Sequence, residues 1–322
     1  MDRFQGSLMD PTQMNSAAGR DLRQGIGVAN RTFGELLQGS LAADEDHFLV
    51  TLPVNRFSRA VFTPDAHSSE VTVSPAHKYK SRKLIQELLE QYAVETGGHL
   101  YVASELPEGK GMASSSADLV AVARAFESSV GFEIPTRVVL ELLRTIEPTD
   151  GVMYPEFVSF FHRRVELRRR LGAPSRLKVV GLDEGGRIDT IDYNHRNGHF
   201  THDECTEYTV LLDTIEAALL ANDLELLGQI STRSAVLNQR RNPKRHLDEM
   251  IEIGRATDAL GVVVAHSGPC IGLLFPDEPS FEDRVEAARL RVAHLNGDAF
   301  VVESLEAGRR MAAHHACSEI SL

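Results

Sequence analysis

Apolar and polar positions change period several times along the chain. Four short runs rich in β-branched and aromatic residues are bounded by turn formers and predict strands: His47 to Val54 (HFLVTLPV), Ser58 to Pro64 (SRAVFTP), Glu70 to Ser74 (EVTVS) and His99 to Leu106 (HLYVASEL). Helical spacing interleaves with them. Leu84, Leu88 and Tyr92 fall on one stripe over Lys83 to Tyr92, and Leu119 to Val130 is apolar almost all round, the pattern of a buried helix. After a break at IEPTDGVMYP, the stretch holding HRRVELRRR (His162 to Arg170) reads as helical, Leu177 to Asp183 as a strand, and the chain through about Glu204 as a polar connector. Leu211, Ile215, Leu219, Leu226 and Ile230 then recur at spacings of four and seven, which predicts one long amphipathic helix. A helix over Leu247 to Leu260, strands over Gly261 to Gly268 and Ile271 to Phe275, a helix over Phe281 to Leu295 and a short strand AFVVE complete the pattern. Strands cluster with helices interspersed, without strict strand-helix-strand alternation, so the expected class is α+β with two lobes.

The first 25 residues are polar and show no sustained period, which predicts a mobile arm. The expected division is an arm over 1–25, an N-terminal domain over 26–204, a C-terminal domain over 205–307 and a tail over 308–322.

With 322 residues, 42% of them hydrophobic, the chain can bury a sizeable core. A net charge of −12 argues against generic binding to nucleic acid or anionic membranes and favours small-molecule partners. The three cysteines, Cys205, Cys270 and Cys317, are widely spaced and form no CxxC or Cys/His zinc pattern. No apolar run approaches the ~20 residues that span a bilayer, and the N-terminus lacks the apolar block of a signal peptide. Together these features predict a cytoplasmic protein with no membrane partner.

The stretch PEGKGMASSSAD (Pro107 to Asp118) sits between a predicted strand and a predicted buried helix. Helix N-termini present unpaired N–H groups and partial positive charge, and glycines ahead of them let backbone approach a phosphate. Gly109 and Gly111 allow the tight backbone, Ser114, Ser115 and Ser116 add hydroxyls, and Lys110 adds a charge. A serine-capped helix after a glycine turn has the same composition. Neither G-x-x-x-x-G-K-[ST] nor G-x-G-x-x-G on a βαβ unit is present, so P-loop and Rossmann assignments have no support.

PEGKGMASSSA resembles the phosphate-loop motif P-x-x-x-G-[LM]-[GA]-S-S-[AS] of the GHMP small-molecule kinases. Two further segments fall in that family's order: GVANRTFGELLQG (Gly27 to Gly39) in the place of its first motif, and VVVAHSGPCIGLLF (Val262 to Phe275) in that of its third. Within the family, GEL-x-QG, KGMASS-x-AD, IEPTD and VAHSG are most similar to the L-threonine kinases of cobalamin side-chain synthesis. The resemblance implies a two-lobed fold, with an ATP-binding N-terminal lobe and a ferredoxin-like C-terminal lobe, and it implies ATP and Mg²⁺. It would place Pro107, Gly109, Lys110, Gly111, Met112, Ala113, Ser114, Ser115 and Ser116 on the phosphates, and Ser115 and Glu147 on Mg²⁺. Asp150 would orient the acceptor hydroxyl or take its proton, and Lys110 would neutralise transferred charge. Glu35, His266 and Ser267 would face the substrate.

The residues alone leave alternatives open. Asp150 fits an Asx-type turn after a helix end, and Lys110 a solvated turn. Glu35, three residues after Thr32, fits a capping box, and His266 with Ser267 a strand-end pair. The basic runs HRRVELRRR and NQRRNPKRH (Asn238 to His246) lack interleaved aromatics. They fit solvated faces, with one arginine available for an amino-acid carboxylate or a nucleotide phosphate. The implied activity is phosphorylation of an amino-acid hydroxyl, L-threonine first, with serine, homoserine or a non-proteinogenic relative as alternatives. A nucleotide-binding regulator without transfer, or a decarboxylase on the same fold, are the rivals. Oligomeric state is left open, with a homodimer admissible.

Overall fold

A computed structural model describes residues 22–41, 46–105, 109–186 and 200–305. Most of the expected N-terminal arm, residue Pro107, part of the connector before Glu204 and the tail over 308–322 lie outside the described residues.

The elements are, in order, β1 (Gly25–Ser40), β2 (His47–Asp65), β3 (Val71–Ser74), α1 (Tyr79–Gln91), β4 (Gly97–Ser104), α2 (Ser114–Val130), α3 (Thr136–Arg144), β5 (Phe157–Phe161), β6 (Glu166–Gly172), β7 (Leu177–Asp183), α4 (His202–Ala221), α5 (Leu224–Asn238), α6 (Leu247–Ala256), β8 (Gly261–Val264), β9 (Cys270–Pro276), α7 (Glu282–Val292) and β10 (Asp298–Glu303). The strands join in one 10-stranded sheet with the path β10-β7-β9-β8-β1-β2-β4-β3, and the β5–β6 hairpin branches from β2. Only β3 and β4 pair in parallel among these ladders. β7, α5 with α6, β8, β9, α7 and β10 form a βαββαβ unit whose strand order, β10-β7-β9-β8, is that of a ferredoxin-like layer. β7 precedes residue 205, yet it is hydrogen-bonded to β9 and β10 and so belongs to this layer by pairing.

Burial explains the layers. α2 is buried on nearly every side, from Ala117 through Phe126, between the sheet and α1. α4 and α5 press Leu212, Ile215, Leu219, Leu227 and Ile230 into a second core against β1, β7 and β8. α6 and α7 cover the outer strands with Met250, Val285 and Val292.

Several expected elements are corrected. The stretch from His162 to Arg170 is not helical: it is the turn and second strand of the β5–β6 hairpin. β5, FVSFF, is wholly buried, and aromatic and β-branched side chains fit a pleated surface. The arginines then line an edge strand, where charge discourages further pairing. The long helix over Leu211 to Ile230 is two helices. Asn222 is left-handed at φ 56°, and the Asp223 side chain accepts from Leu226 N–H, so one helix ends and the next is capped within two residues. The periodicity runs through because both helices face the same core. The runs at 47–54 and 58–64 are one strand, β2, and residues 27–39 form the bulged strand β1, with no helix at Thr32 for a capping box.

Candidate active site

Residues 109–113 carry the chain from β4 to α2. Gly109, Gly111 and Ala113 have φ of 74°, 72° and 50°, alternating with Lys110 and Met112, which are not left-handed. Where right-handed and left-handed residues alternate, successive backbone N–H groups turn towards one side and can receive an anion. Ala113, the N-cap of α2, makes no side-chain cap, and the first turn holds no acidic residue, so the N–H groups of that turn stay available.

The back of this loop is closed by the other two motifs. Gly34 N–H donates to Gly111 carbonyl oxygen at 3.2 Å. A β-carbon on Gly111 would stand 2.4 Å from Ala265 Cβ and 2.8 Å from Gly268 Cα, so only glycine fits where loop and β8–β9 turn meet. The Met112 side chain is buried in the core shared with α4 and α5, and its carbonyl accepts from Arg31 Nε at 3.2 Å. Lys110 is not solvated: Nζ is ion-paired with Asp183 at 2.6 Å and donates to Gly186 carbonyl at 3.0 Å.

Among the three serines, Ser115 is exposed, Ser114 is half-buried and Ser116 is buried. Ser116 is the one that meets the acidic segment. Its hydroxyl donates to Asp150 Oδ2 at 3.4 Å and accepts from Asp150 N–H at 3.3 Å. Burial, followed by the charges of Glu35 and then Glu147, pushes the Asp150 carboxyl up to about 8. Glu147 is buried; one of its oxygens is ion-paired with Lys80, and the other, Oε1, is buried with no hydrogen-bond partner. An orphaned carboxylate oxygen is a donor that suits a hard cation such as Mg²⁺. Among the described residues no group of three or more His, Cys, Asp or Glu is arranged to hold a metal.

Glu35 reaches the site because β1 bulges. The register jumps from Thr32 opposite Pro53 to Glu35 opposite Thr51, and Gly34, at φ 51°, lies against Val264. Glu35 thereby pairs with Val264 across β1 and β8. Its Oε2 accepts from His266 N–H at 2.9 Å and lies 3.0 Å from His266 Nδ1, while Ser234 Oγ lies 2.9 Å from His266 Nε2. All three side chains are buried. Ser267, at the tip of the same turn, is half-buried.

A cleft beside this group is lined by His47, His162, Phe200, Tyr208, Arg241 and His266, among others. Thr149 N–H donates to His162 carbonyl at 3.2 Å, which ties the segment bearing Asp150 to the cleft wall. Burial, then His47, Arg163 and His266, pulls the His162 imidazole down to about 3, so it is neutral at ordinary pH. Arg241 stacks on Phe200, 3.8 Å from the ring centre, and pairs with Glu204 at 2.9 Å, while its Nε and Nη1 are buried without hydrogen-bond partners.

The structure thus brings Gly111, Ser116, Glu147, Asp150, Glu35 and His266 to one region. Sequence reasoning did not single out His162, Phe200 or Tyr208, which come from separate elements and carry no local motif. Arg241 stood in a basic run with a readable composition but no readable direction. The other run, Arg164 to Arg170, turns outward and is matched by Asp46, Glu156, Glu166, Asp213 and Glu216.

Comparison with known proteins bears on the fold and the family. Residues 79–153 match the GHMP kinases N terminal domain, and residues 215–293 match the family described as GHMP kinases C terminal. The chain is 27% identical to an L-threonine kinase of Citrobacter freundii over 246 residues, covering 75% of this chain and 83% of that protein. It is 28% identical to an L-threonine kinase of Salmonella typhimurium over 247 residues, covering 75% of this chain and 79% of that one. A crystal structure of homoserine kinase from Cytophaga hutchinsonii superposes with a TM-score of 0.71 at 17% identity, over 90% of this chain and 96% of the other. The shared fold is that of the GHMP kinases.

Proposed function

We propose, from the premise that this chain carries both domains of the GHMP kinases and is an ATP-dependent phosphotransferase acting on a hydroxyl group, that it phosphorylates the side-chain hydroxyl of an amino acid, L-threonine before its homologues. The observation that carries this reading is Arg241, a wall residue of the cleft whose Nε and Nη1 are buried without hydrogen-bond partners, in a cleft tied to the segment bearing Asp150 by the Thr149–His162 bond. A guanidinium so placed suits a carboxylate, the group that an α-amino acid brings.

ATP would lay its phosphates on the backbone from Gly109 to Ser116. Glu147 and Ser115 would hold Mg²⁺, which when bound neutralises charge on the phosphates. The acceptor oxygen attacks the γ-phosphorus, a new O–P bond forms, the bond to ADP breaks, and the hydroxyl proton passes to Asp150 Oδ2. A carboxylate raised to about 8 holds that proton better than an ordinary aspartate, as a general base requires. Glu35 and His266, fixed on each other, and Ser267 would face the acceptor's ammonium end. Lys110 would exchange Asp183 for a phosphate oxygen.

The test is ADP release over a panel of L-threonine, L-serine, L-homoserine and hydroxyl-free controls. L-threonine is expected to give the highest kcat/KM, with analogues differing by a methyl or methylene falling by about 10- to 200-fold. A higher kcat/KM for another hydroxy amino acid would reassign the acceptor. ADP release that no alcohol raises would point to a nucleotide-binding regulator.

A further inference from the structure

The run Asn238 to His246 has an arrangement that Arg241 does not exhaust. Beyond α5 the chain wraps behind the β8–β9 turn and donates inward to its carbonyls. Asn242 Nδ2 donates to His266 carbonyl at 2.9 Å and to Gly268 carbonyl at 3.1 Å. Lys244 Nζ donates to the same Gly268 carbonyl. Lys244 is held there from its own backbone: its N–H donates to Gln239 Oε1 at 2.6 Å, and its carbonyl accepts from Gln239 Nε2 at 3.1 Å. The lysine is 4% exposed, so a charge sits inside the protein where solvation alone does not explain it.

On its other side, the turn touches the phosphate loop backbone to backbone. A β-carbon on Gly268 would fall 2.4 Å from Gly111 N and 2.4 Å from Lys110 carbonyl oxygen. No side chain separates the two segments there, so a shift of Gly268 is transmitted to Gly111 directly. The chain of contact runs from Lys244 and Asn242 to Gly268, and from Gly268 to Gly111.

We propose that Lys244 and Asn242 are positioning residues for the nucleotide: they set the place of the Gly111 backbone through the turn they hold, and Lys244 adds a buried positive charge behind it. This rests on the reading that Gly109 to Ser116 binds phosphates. Several groups face Lys244 or its neighbours: Glu184 after β7, Glu35 on β1 and Cys270 on β9, with Asp183, Lys110 and Arg31 acting on Cys270. Burial pulls the ammonium down to about 8, against Glu184 first and Glu35 second, which hold it up. It is therefore charged at neutral pH and loses its proton as pH rises past that value.

The test is the dissociation constant of ADP, measured by calorimetry on the full chain between pH 6.5 and 9.5, together with steady-state KM for ATP. A unit charge ~10 Å from a phosphate, at an effective dielectric of ~20, is worth about tenfold in affinity. Lys244→Met should weaken ADP by about that factor at pH 7 and raise KM for ATP more than it lowers kcat. Wild-type affinity should fall above pH 8. Lys244→Arg, which stays charged, should restore binding at pH 7 and diminish that fall; any remainder belongs to Asp150, whose ionisation has the same sign. Asn242→Ala should raise KM with a smaller effect. If Lys244→Met fails to fold, the pH profile of the arginine variant decides. Wild-type binding with an unchanged affinity in the methionine variant, or an undiminished fall above pH 8 in the arginine variant, overturns the proposal alone. No ADP binding by the wild type would overturn the phosphate-loop reading and this proposal with it.

Discussion

Glu216 and the Glu147–Asp150 pair are carboxylates that this fold treats in opposite ways. Glu216 on α4 is 3% exposed and accepts from Ser159 Oγ at 2.6 Å, Arg168 Nε at 3.0 Å and Arg169 Nη1 at 3.3 Å. Its charge is neutralised and both oxygens are used. Near the start of α2, Oε1 of the buried Glu147 has no hydrogen-bond partner, and the half-buried Asp150 has a single long side-chain bond, at 3.4 Å to Ser116. Leaving a buried acceptor unmatched costs ~1–3 kcal/mol, and such a cost is kept where a ligand completes the group. The satisfied carboxylate pins a hairpin to a helix; in the function proposed above, a cation and an acceptor would complete the unsatisfied ones.

Asp150→Asn tests the second half of that contrast most severely. Losing a general base should lower turnover of ATP with the acceptor by at least ~10²-fold, with circular dichroism unchanged. In the wild type, kcat should rise with pH and level off above about 8, the value to which burial and the neighbouring carboxylates raise Asp150, and this rise should be missing in the variant. Stability should move the other way. The unfolded chain releases this proton near pH ~3.9, whereas the folded chain holds it up to about 8. Folded Asp150 thus contributes stability that is fully present below the unfolded value and is lost as pH climbs to the folded one. Asparagine has no such loss, so the variant's Tm should exceed the wild type's at pH 8, and the margin should narrow towards pH 4. An equal or lower Tm at pH 8 would mean that Asp150 is not an unsatisfied group.

How much of this was legible follows from where the information lies. The glycine turn and the helix start at Ser114 could be read because their glycines and serines are contiguous and their conformational demands are local. The ferredoxin-like layer was implied by the family resemblance, while its strands at 177–183, 261–268 and 271–275 were readable from their mainly apolar runs. Glu35 could be named, but not its aim, which depends on a bulge that appears only when β1 pairs with β2 and β8. The hairpin at 157–172 was misread because charged residues at close spacing suit a solvated helix face as well as an edge strand; the FVSFF run was the better signal. The break at Asn222 and Asp223 carried a capping signature overridden by periodicity. The cleft side chains His162, Phe200 and Tyr208 meet only through tertiary packing. Charge runs are the sharpest case, since Arg164 to Arg170 and Asn238 to His246 look alike in sequence, yet the first faces solvent and carboxylates while the second also donates to the backbone of the β8–β9 turn through Asn242 and Lys244.

Glu216→Ala addresses the satisfied side of the contrast. It strands Ser159 Oγ and leaves Arg168 and Arg169 without their shared anchor, so urea denaturation should show a loss of about 1–3 kcal/mol. The kcat of the folded fraction should be unchanged, because these groups pin the hairpin to α4 and none belongs to the cleft. A fall in kcat larger than the fall in folded protein would show that the hairpin sets cleft geometry, and would erase the distinction between the two sets.

The smallest effect is expected further along the same edge. Arg170 Nη1 pairs with Glu156 at 2.9 Å, with side chains 61% and 23% exposed, and its guanidinium lies 5.0 Å from the Tyr154 ring centre. Water competes for both contacts, so Arg170→Gln should cost no more than about 1 kcal/mol, and less as salt is added. A loss that equals that of Glu216→Ala and resists 1 M salt would place Arg170 among the buried anchors. The arginine hairpin would then be one cooperative ion network, and solvent exposure would no longer separate its members.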